Sequence, residues 1–177
     1  MDEKMGMRLA MEQAELAKAI GEVPVGAVIV RNGEVVAAAY NRRETTKNAL
    51  SHAETEAIYK ACQALGGWRL WECEMFVTLE PCPMCAGAIL NARLKKVTFG
   101  AYDEKNGAFG SVCDLNAAPF TYHPEVKGGV MAEECAAELM AFFKTLREKR
   151  KETPNPWKVK QAAKQAQNIE KETENTQ

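Results

Sequence analysis

The sequence predicts a three-layer α/β fold, with helices on both faces of a five-stranded mixed sheet. Segments rich in apolar and β-branched residues alternate with helical patterns between residues 34 and 101, an order typical of parallel neighbouring strands joined by right-handed crossovers. The pair Asn32-Gly33 predicts a two-residue hairpin turn, which adds an antiparallel strand in front. Amphipathic patterns at residues 3–20 and 131–149 predict two further helices that pack on the sheet.

Turn and capping residues indicate where the elements begin and end. Gly66 is expected to end a helix, and Pro83 favours a helix start directly after Cys82. Ser51 and Glu54 match a capping box, which predicts another helix start. The predicted elements are, in order, a helix at 3–20, strands at 23–31 and 34–40, a loop at 41–51, a helix from 51 to 65, a strand at 74–79, a helix at 82–93, a strand at 96–101, an irregular loop at 102–119, a short strand at 126–130 and a helix at 131–149.

Length and composition indicate one globular domain with an additional segment. The chain has 177 residues, 46% of them hydrophobic, which predicts a domain at residues 1–152. Residues 153–177 are polar and nearly free of large apolar side chains, so we expect an extension that is disordered or a frayed helix. The sequence contains no long apolar run and no apolar segment after its charged start, so we expect a cytoplasmic protein with no membrane span and no signal peptide.

Two thiols and an imidazole form the candidate metal site. Cys82 and Cys85 are three positions apart, so they lie on one face of the predicted helix, at the positive end that favours thiolates. His52 offers a third ligand. Three protein ligands leave the fourth tetrahedral position for water, which is the pattern of a catalytic zinc. Glu54 is the candidate proton carrier for hydrolysis.

The predicted topology brings the two halves of this site together. His52 and Glu54 begin one crossover helix and residues 81–85 begin the next, so both helix starts are expected side by side at one edge of the sheet. Zinc held there lowers the pKa of water to about 7 and makes hydroxide available at neutral pH. Because residues i and i+2 of a regular helix point apart, His52 and Glu54 can serve one site only at the helix start.

Each part of the site also has another interpretation. Cys-x-x-Cys at a helix start also describes a dithiol redox pair. A closed structural zinc requires a fourth ligand, for which Cys73, Cys113 and His123 are the candidates. Taken alone, Glu54 is better explained as a helix cap, and His52 as a structural histidine. The combination of H-x-E with P-C-x-x-C is the zinc deaminase pattern, in which the glutamate is not a ligand.

Several further segments share a pattern with the candidate site. They are Glu22 to Ala27, Asn41-Arg42, His52-Ala53-Glu54, residues 78–89, Phe99-Gly100-Ala101 with Asp103 and Lys105, Gly107-Ala108, Gly110-Ser111, Glu134-Cys135 and Phe142-Phe143. On these residues the chain resembles the bacterial tRNA-specific adenosine deaminases over roughly residues 5–150. The metal-site residues alone identify only the wider cytidine deaminase-like superfamily, whereas residues 22–27, Asn41-Arg42 and residues 99–111 indicate the tRNA branch. The chain departs from the family pattern at residues 122–124, Tyr-His-Pro.

The resemblance implies both a fold and an activity. It implies a cytidine deaminase-like zinc deaminase domain that hydrolyses adenosine to inosine at the wobble position of a tRNA anticodon. It also implies a homodimer with one zinc ion per subunit, in which both subunits contribute to binding the anticodon stem-loop. By position, Asn41 contacts the flipped base, Pro81 helps to wall the pocket, and Asp103 with its loop contacts the flanking anticodon-loop nucleotides.

The charge distribution is compatible with an RNA partner. From residue 144 onward there are nine Lys and Arg against five Asp and Glu, although the net charge of the chain is −1. A solvated helix face is the alternative explanation for the basic residues that are candidate phosphate contacts, which are Lys144, Arg147, Lys149, Arg150 and Lys151. The rival functions are a deaminase of a free base or nucleotide, which is active without RNA, and a non-catalytic zinc or dithiol module.

Overall fold

The computed structural model describes residues 1–152 and residue 161. Contacts within the chain define two compact units, residues 1–140 and 141–177. Apart from position 161, the predicted extension at 153–177 lies outside the described residues, and the boundary after residue 152 stays a prediction. The elements are, in order, α1 (Glu3–Ala19), β1 (Gly26–Arg31), β2 (Glu34–Tyr40), α2 (Arg43–Thr46), α3 (Ala53–Leu65), β3 (Cys73–Leu79), α4 (Pro83–Ala92), β4 (Lys96–Ala101), β5 (Glu125–Lys127) and α5 (Ala132–Glu152).

The five strands form one mixed sheet in the order β2-β1-β3-β4-β5. β1 pairs antiparallel with both β2 and β3, whereas β3, β4 and β5 are parallel neighbours. The predicted five-stranded mixed sheet and the predicted hairpin are confirmed. The prediction that β2 and β3 are neighbours is wrong, because β1 lies between them. These two strands still run in the same direction, since each is antiparallel to β1, and the connection through α3 passes across β1.

Helices cover both faces of the sheet, as predicted. α1 packs on the face that carries Phe76, since a Cβ on Gly6 of α1 would lie 2.6 Å from the Phe76 ring. Gly26 of β1 lies so close to α1 that a Cβ there would overlap the helix backbone. Neighbouring strand residues such as Ile29 point to the opposite face, where α3 packs against β1 and β2 and also contacts α4. This second face carries the helix starts on which the candidate site lies.

The start of α3 differs from the prediction. Its N-cap is His52, whose backbone is extended (φ −82°, ψ 155°), and no side chain caps the helix. Ser51 is buried, and its carbonyl accepts a hydrogen bond from the Arg42 backbone N–H at 3.0 Å. The Ser51 backbone N–H donates to the Asn48 carbonyl at 3.1 Å, and Ser51 lies one position before the N-cap, so the predicted capping box between Ser51 and Glu54 is wrong. The end of the helix is as predicted, because Gly66 adopts the left-handed conformation that closes a helix.

The remaining differences concern connecting segments. The predicted loop at 41–51 contains the single-turn helix α2. β5 is shorter than the strand predicted at 126–130, because Gly129 and Met131 adopt positive φ and take the chain out of the extended conformation. Residues 102–119 form the long irregular connection that the sequence predicts. Among the described residues, none of the helices combines the length and the apolar character needed for a transmembrane span.

Candidate active site

His52, Cys82 and Cys85 lie together as one donor group. The Nδ1 atom of His52 is 3.5 Å from Cys85 Sγ and 3.8 Å from Cys82 Sγ, and the three donor atoms all lie within 4.8 Å of one another. Ligands of a tetrahedral zinc, with bonds of about 2.0–2.3 Å, are roughly 3.6 Å apart, so this spacing fits a zinc ion at their centre. In the described part of the chain, Cys73, Cys113 and His123 do not join this group.

Two helix starts hold these donors. Cys82 is the N-cap of α4 with an extended backbone, Pro83 occupies the first turn as predicted, and Cys85 follows within that turn. His52 is the N-cap of α3, which contacts α4 on the same face of the sheet. The Cys85 backbone N–H donates to the Cys82 sulfur, and the positive ends of both helices favour thiolates and the anions of a hydrolytic reaction.

The thiols and the imidazole hold their protons unequally. A hydrogen bond from Cys85, supported by His52, lowers the pKa of Cys82 to about 4. The same bond raises the pKa of Cys85, and burial adds to this shift. The hydrogen bond with Cys82 raises the pKa of His52. Cys82 is thus a thiolate that is hydrogen-bonded to Cys85 and His52. A metal ion would replace the protons in these bonds, so zinc binding would release protons.

Glu54 lies in the first turn of α3, next to this donor group. Its side chain is buried, and this burial raises the pKa of the carboxyl against the opposing effects of a backbone hydrogen bond and of the nearby His52. The extended backbone of His52 explains how residues two positions apart serve one site, because His52 precedes the helix and Glu54 lies within it. A buried carboxyl with a raised pKa suits a group that takes up a proton and returns it during a reaction.

Asn41 is held by a buried glutamate. Its side-chain amide donates to Glu22 Oε2 at 3.2 Å and to the Val23 carbonyl at 3.3 Å. Since both partners only accept hydrogen bonds, they determine that the amide nitrogen faces them, and Asn41 Oδ1 accepts from the Arg43 backbone N–H at 3.5 Å. Glu22 also accepts a hydrogen bond from the Thr45 backbone N–H. The buried carboxylate therefore orients Asn41 and holds the loop that follows it.

Pro81 and Asp103 lie on two segments that are bonded to each other. The Pro81 carbonyl accepts a hydrogen bond from the Ala108 backbone N–H at 2.9 Å. The Asp103 backbone N–H donates to Glu80 Oε2 at 3.2 Å, and the half-buried Asp103 side chain closes a turn by accepting from Lys105 and Asn106. The loop that carries Asp103 is thus bonded to the two residues that immediately precede Cys82.

Sequence reasoning does not single out Glu22 and Glu80, which the structure places behind the predicted site residues. Both are 2% exposed. Glu22 follows the end of a helix and Glu80 follows an apolar strand, and neither belongs to a helical or strand pattern of apolar residues. Their hydrogen-bond partners lie 19 to 31 positions further along the chain. The one sequence signal that includes them is their position in the segments that carry the family resemblance.

The comparison with known proteins agrees with this geometry. A family model described as MafB19-like deaminase matches residues 1–147. The tRNA-specific adenosine deaminase of Bacillus subtilis is 48% identical over 150 residues, covering 84% of this chain and 93% of the relative. The chain belongs to the tRNA-specific adenosine deaminases. The family member from Haemophilus influenzae is 42% identical over 152 residues, covering 85% of this chain and 87% of the relative.

A solved structure supports the same membership. It comes from a study of A-to-I editing by tRNA:A34 deaminases at the wobble position of transfer RNA, and it is 41% identical in sequence, with a TM-score of 0.73. The match covers 76% of this chain and 98% of that chain. The family resemblance seen in the sequence and the cytidine deaminase-like fold that it implies are confirmed.

Proposed function

We propose that this chain hydrolyses adenosine to inosine at the wobble position of a tRNA anticodon. The observation that carries the proposal is a His-Cys-Cys donor group beside the buried Glu54, in a chain that belongs to the tRNA-specific adenosine deaminases. The overall reaction replaces the amine at C6 of adenine by an oxygen from water and releases ammonia.

His52, Cys82 and Cys85 are the proposed ligands of one zinc ion per subunit. One nitrogen and two sulfurs form a donor set that suits zinc and leaves a fourth position open, which favours a catalytic site over a closed structural one. When bound, zinc supplies an activated water for attack on C6 of the base. The dithiol alternative is less well supported, because the imidazole lies as close to the sulfurs as a shared ligand would.

Glu54 is the proposed general acid and base. Its carboxylate accepts one proton from the attacking water and gives it to the ring nitrogen next to C6; it then accepts the remaining proton of that water, from the hydroxyl on C6, and transfers it to the amine, which leaves as ammonia while the C6 carbonyl forms. Burial raises the pKa of this carboxyl, so its protonated form is more accessible than that of an exposed glutamate. The same side chain can therefore carry the proton in both directions within one turnover.

The substrate contacts proposed from the sequence remain Asn41, Pro81 and Asp103. Asn41 presents Oδ1 as a hydrogen-bond acceptor to the base, because its amide nitrogen is already bonded and its oxygen, which accepts one long bond from the Arg43 backbone N–H, can accept a second. Pro81 walls the pocket beside Cys82, and Asp103 contacts the flanking anticodon-loop nucleotides.

A cytoplasmic location and a homodimer belong to this proposal. Sedimentation equilibrium should return twice the monomer mass of 19.5 kDa, and a monomer would contradict the dimer alone.

The decisive experiment uses an anticodon stem-loop with adenosine at the wobble position. The purified protein is expected to produce inosine, which sequencing reads as guanosine, and a stem-loop with guanosine at that position is the blank. Glu54→Gln should retain zinc but lose at least about a thousandfold in kcat. The matched control is Glu34→Gln, an exposed glutamate beside the β-hairpin turn, which should behave as the wild type.

Three results would contradict the proposal. Absence of inosine together with turnover of free guanine or cytosine would indicate the free-base deaminase instead. Isolation without stoichiometric zinc, and no gain of activity on adding it, would indicate a non-catalytic module. Full activity of Glu54→Gln would exclude the proposed proton transfer, whatever the substrate.

A further inference from the structure

Glu80 is a buried glutamate whose side chain accepts hydrogen bonds from one long loop. It follows β3 directly and precedes Pro81 and Cys82, and it is 2% exposed. Oε1 accepts from the backbone N–H groups of Phe109 and Ser111, both at 3.1 Å. Oε2 accepts from the Asp103 backbone N–H at 3.2 Å and from the Ser111 hydroxyl. Four donors from residues 103–111 therefore converge on one carboxylate.

The loop is shaped around this carboxylate. A Cβ on Gly107 would lie 2.6 Å from Glu80 Oε1 and closer still to Oε2, so only glycine fits at this position. The Ala108 backbone N–H, one residue further, donates to the Pro81 carbonyl. Gly107, Ala108 and Phe109 are buried, whereas the preceding residues 104–106 are exposed. The carboxylate thus forms the centre of the loop, and its exposed turn projects away from that centre.

Isosteric replacement shows why a carboxylate is needed. Glutamine has one oxygen and one NH₂ group in the same space. If its oxygen keeps the bonds from Phe109 and Ser111, its NH₂ group faces the Asp103 N–H, and two donors oppose each other. If the amide is reversed, two N–H groups lose their acceptor instead. Buried donors without a partner are costly, so either arrangement moves the loop.

We propose that Glu80 is a positioning residue for RNA recognition: through these bonds it holds the 103–111 loop, and with it Asp103, in the place where the loop contacts the substrate RNA. This inference rests on the proposed function. Glu80 acts through the loop and touches neither the reacting base nor the metal ligands. Its loss therefore weakens RNA binding while the zinc content and the chemical step are preserved.

The first test is Glu80→Gln, measured as KM and kcat on the anticodon stem-loop. We expect KM to rise by about 10-fold or more, the equivalent of one charge-assisted hydrogen bond, with kcat within about threefold of the wild type. Zinc should remain stoichiometric. Glu34→Gln makes the same chemical change at an exposed position and is expected to leave both constants unchanged.

The second test is Gly107→Ala, which disturbs the same contact from the loop side and leaves Glu80 intact. It should raise KM in the same way, while Gly67→Ala, where nothing lies within 4 Å of the added Cβ, should not. Combining Gly107→Ala with Glu80→Gln should raise KM less than the product of the two single effects, because both act on one contact.

Hydrogen exchange supplies a readout that does not depend on activity. In both variants, the backbone amides of residues 103–111 should exchange faster, while those of α3 and α4 keep the wild-type rates. An unchanged KM with unchanged exchange, or a fall in kcat alone, would overturn the positioning role. Lack of inosine formation by the wild type would overturn the proposed function instead, and the exchange result would still decide whether Glu80 holds the loop.

Discussion

Glu138 of α5 should make the stability of this protein depend on pH in the opposite direction to a salt-bridged carboxylate such as Glu15, whose pKa is lowered by its bond to Lys18. Burial raises its pKa to about 7, and the neighbouring Glu15 of α1 adds to the shift. Glu15 stays charged because Lys18 bonds to it at 2.9 Å, and Lys18 also attracts Glu138, which reduces the effect. Ionising Glu138 therefore places a second negative charge beside Glu15 in a partly enclosed position.

The magnitude follows from the difference between this pKa and the ordinary value of 4.5. At 1.36 kcal/mol per pH unit, the upper bound is about 3 kcal/mol. Because Glu138 is only partly buried, solvent screening reduces the expected effect to about 1 kcal/mol. The folded-state pKa is raised, so this contribution to stability is fully present below pH 4.5 and is lost as the pH rises toward about 7.

The assay compares urea unfolding of the wild type and Glu138→Gln between pH 5 and pH 8. The two proteins should be nearly equally stable at pH 5, and the variant should be more stable by about 1 kcal/mol at pH 8. Taking the difference between proteins cancels any effect of pH on zinc binding. Glu12→Gln, an exposed position on α1, is the matched control and should show a constant difference. A pH-independent difference, or a variant that is less stable at pH 8, would refute the reasoning.

Two further predictions concern packing and the metal. Gly26→Ala should destabilise the protein by about 1–3 kcal/mol in urea unfolding, because its Cβ would overlap the α1 backbone at Ala10; Gly67→Ala is the control, and equal stability of both variants would contradict this packing. Removal of the metal by a chelator should abolish inosine formation and lower Tm by several degrees. A ligand whose free concentration is a thousand times its Kd stabilises the folded state by about 4 kcal/mol, and this stabilisation is lost with the metal. Both should recover on addition of zinc, and a metal-free protein with unchanged Tm and activity would exclude the proposed role of the donor group.

Short-range patterns allowed much of this fold to be predicted. The hairpin, the helix end at Gly66 and the start of α4 at Pro83 each depend on dihedral preferences of one or two residues, and they are found where the sequence predicts them. The capping box at Ser51 failed because α3 begins one residue later, at His52, and the Ser51 backbone N–H that Glu54 would have capped donates to the Asn48 carbonyl instead; that contact depends on how the preceding loop folds back.

The sequence by itself determined which residue types make a metal site. It also determined that Cys82 and Cys85 share a helix start, because helix periodicity relates positions that are only a few residues apart. Only the tertiary structure decided that β1 lies between β2 and β3, and that Glu22 and Glu80 hold the loops that carry Asn41 and Asp103. These contacts join residues about twenty or more positions apart, so they depend on the strand order and on the path of irregular loops. A buried carboxylate gathers its donors only once those segments have met.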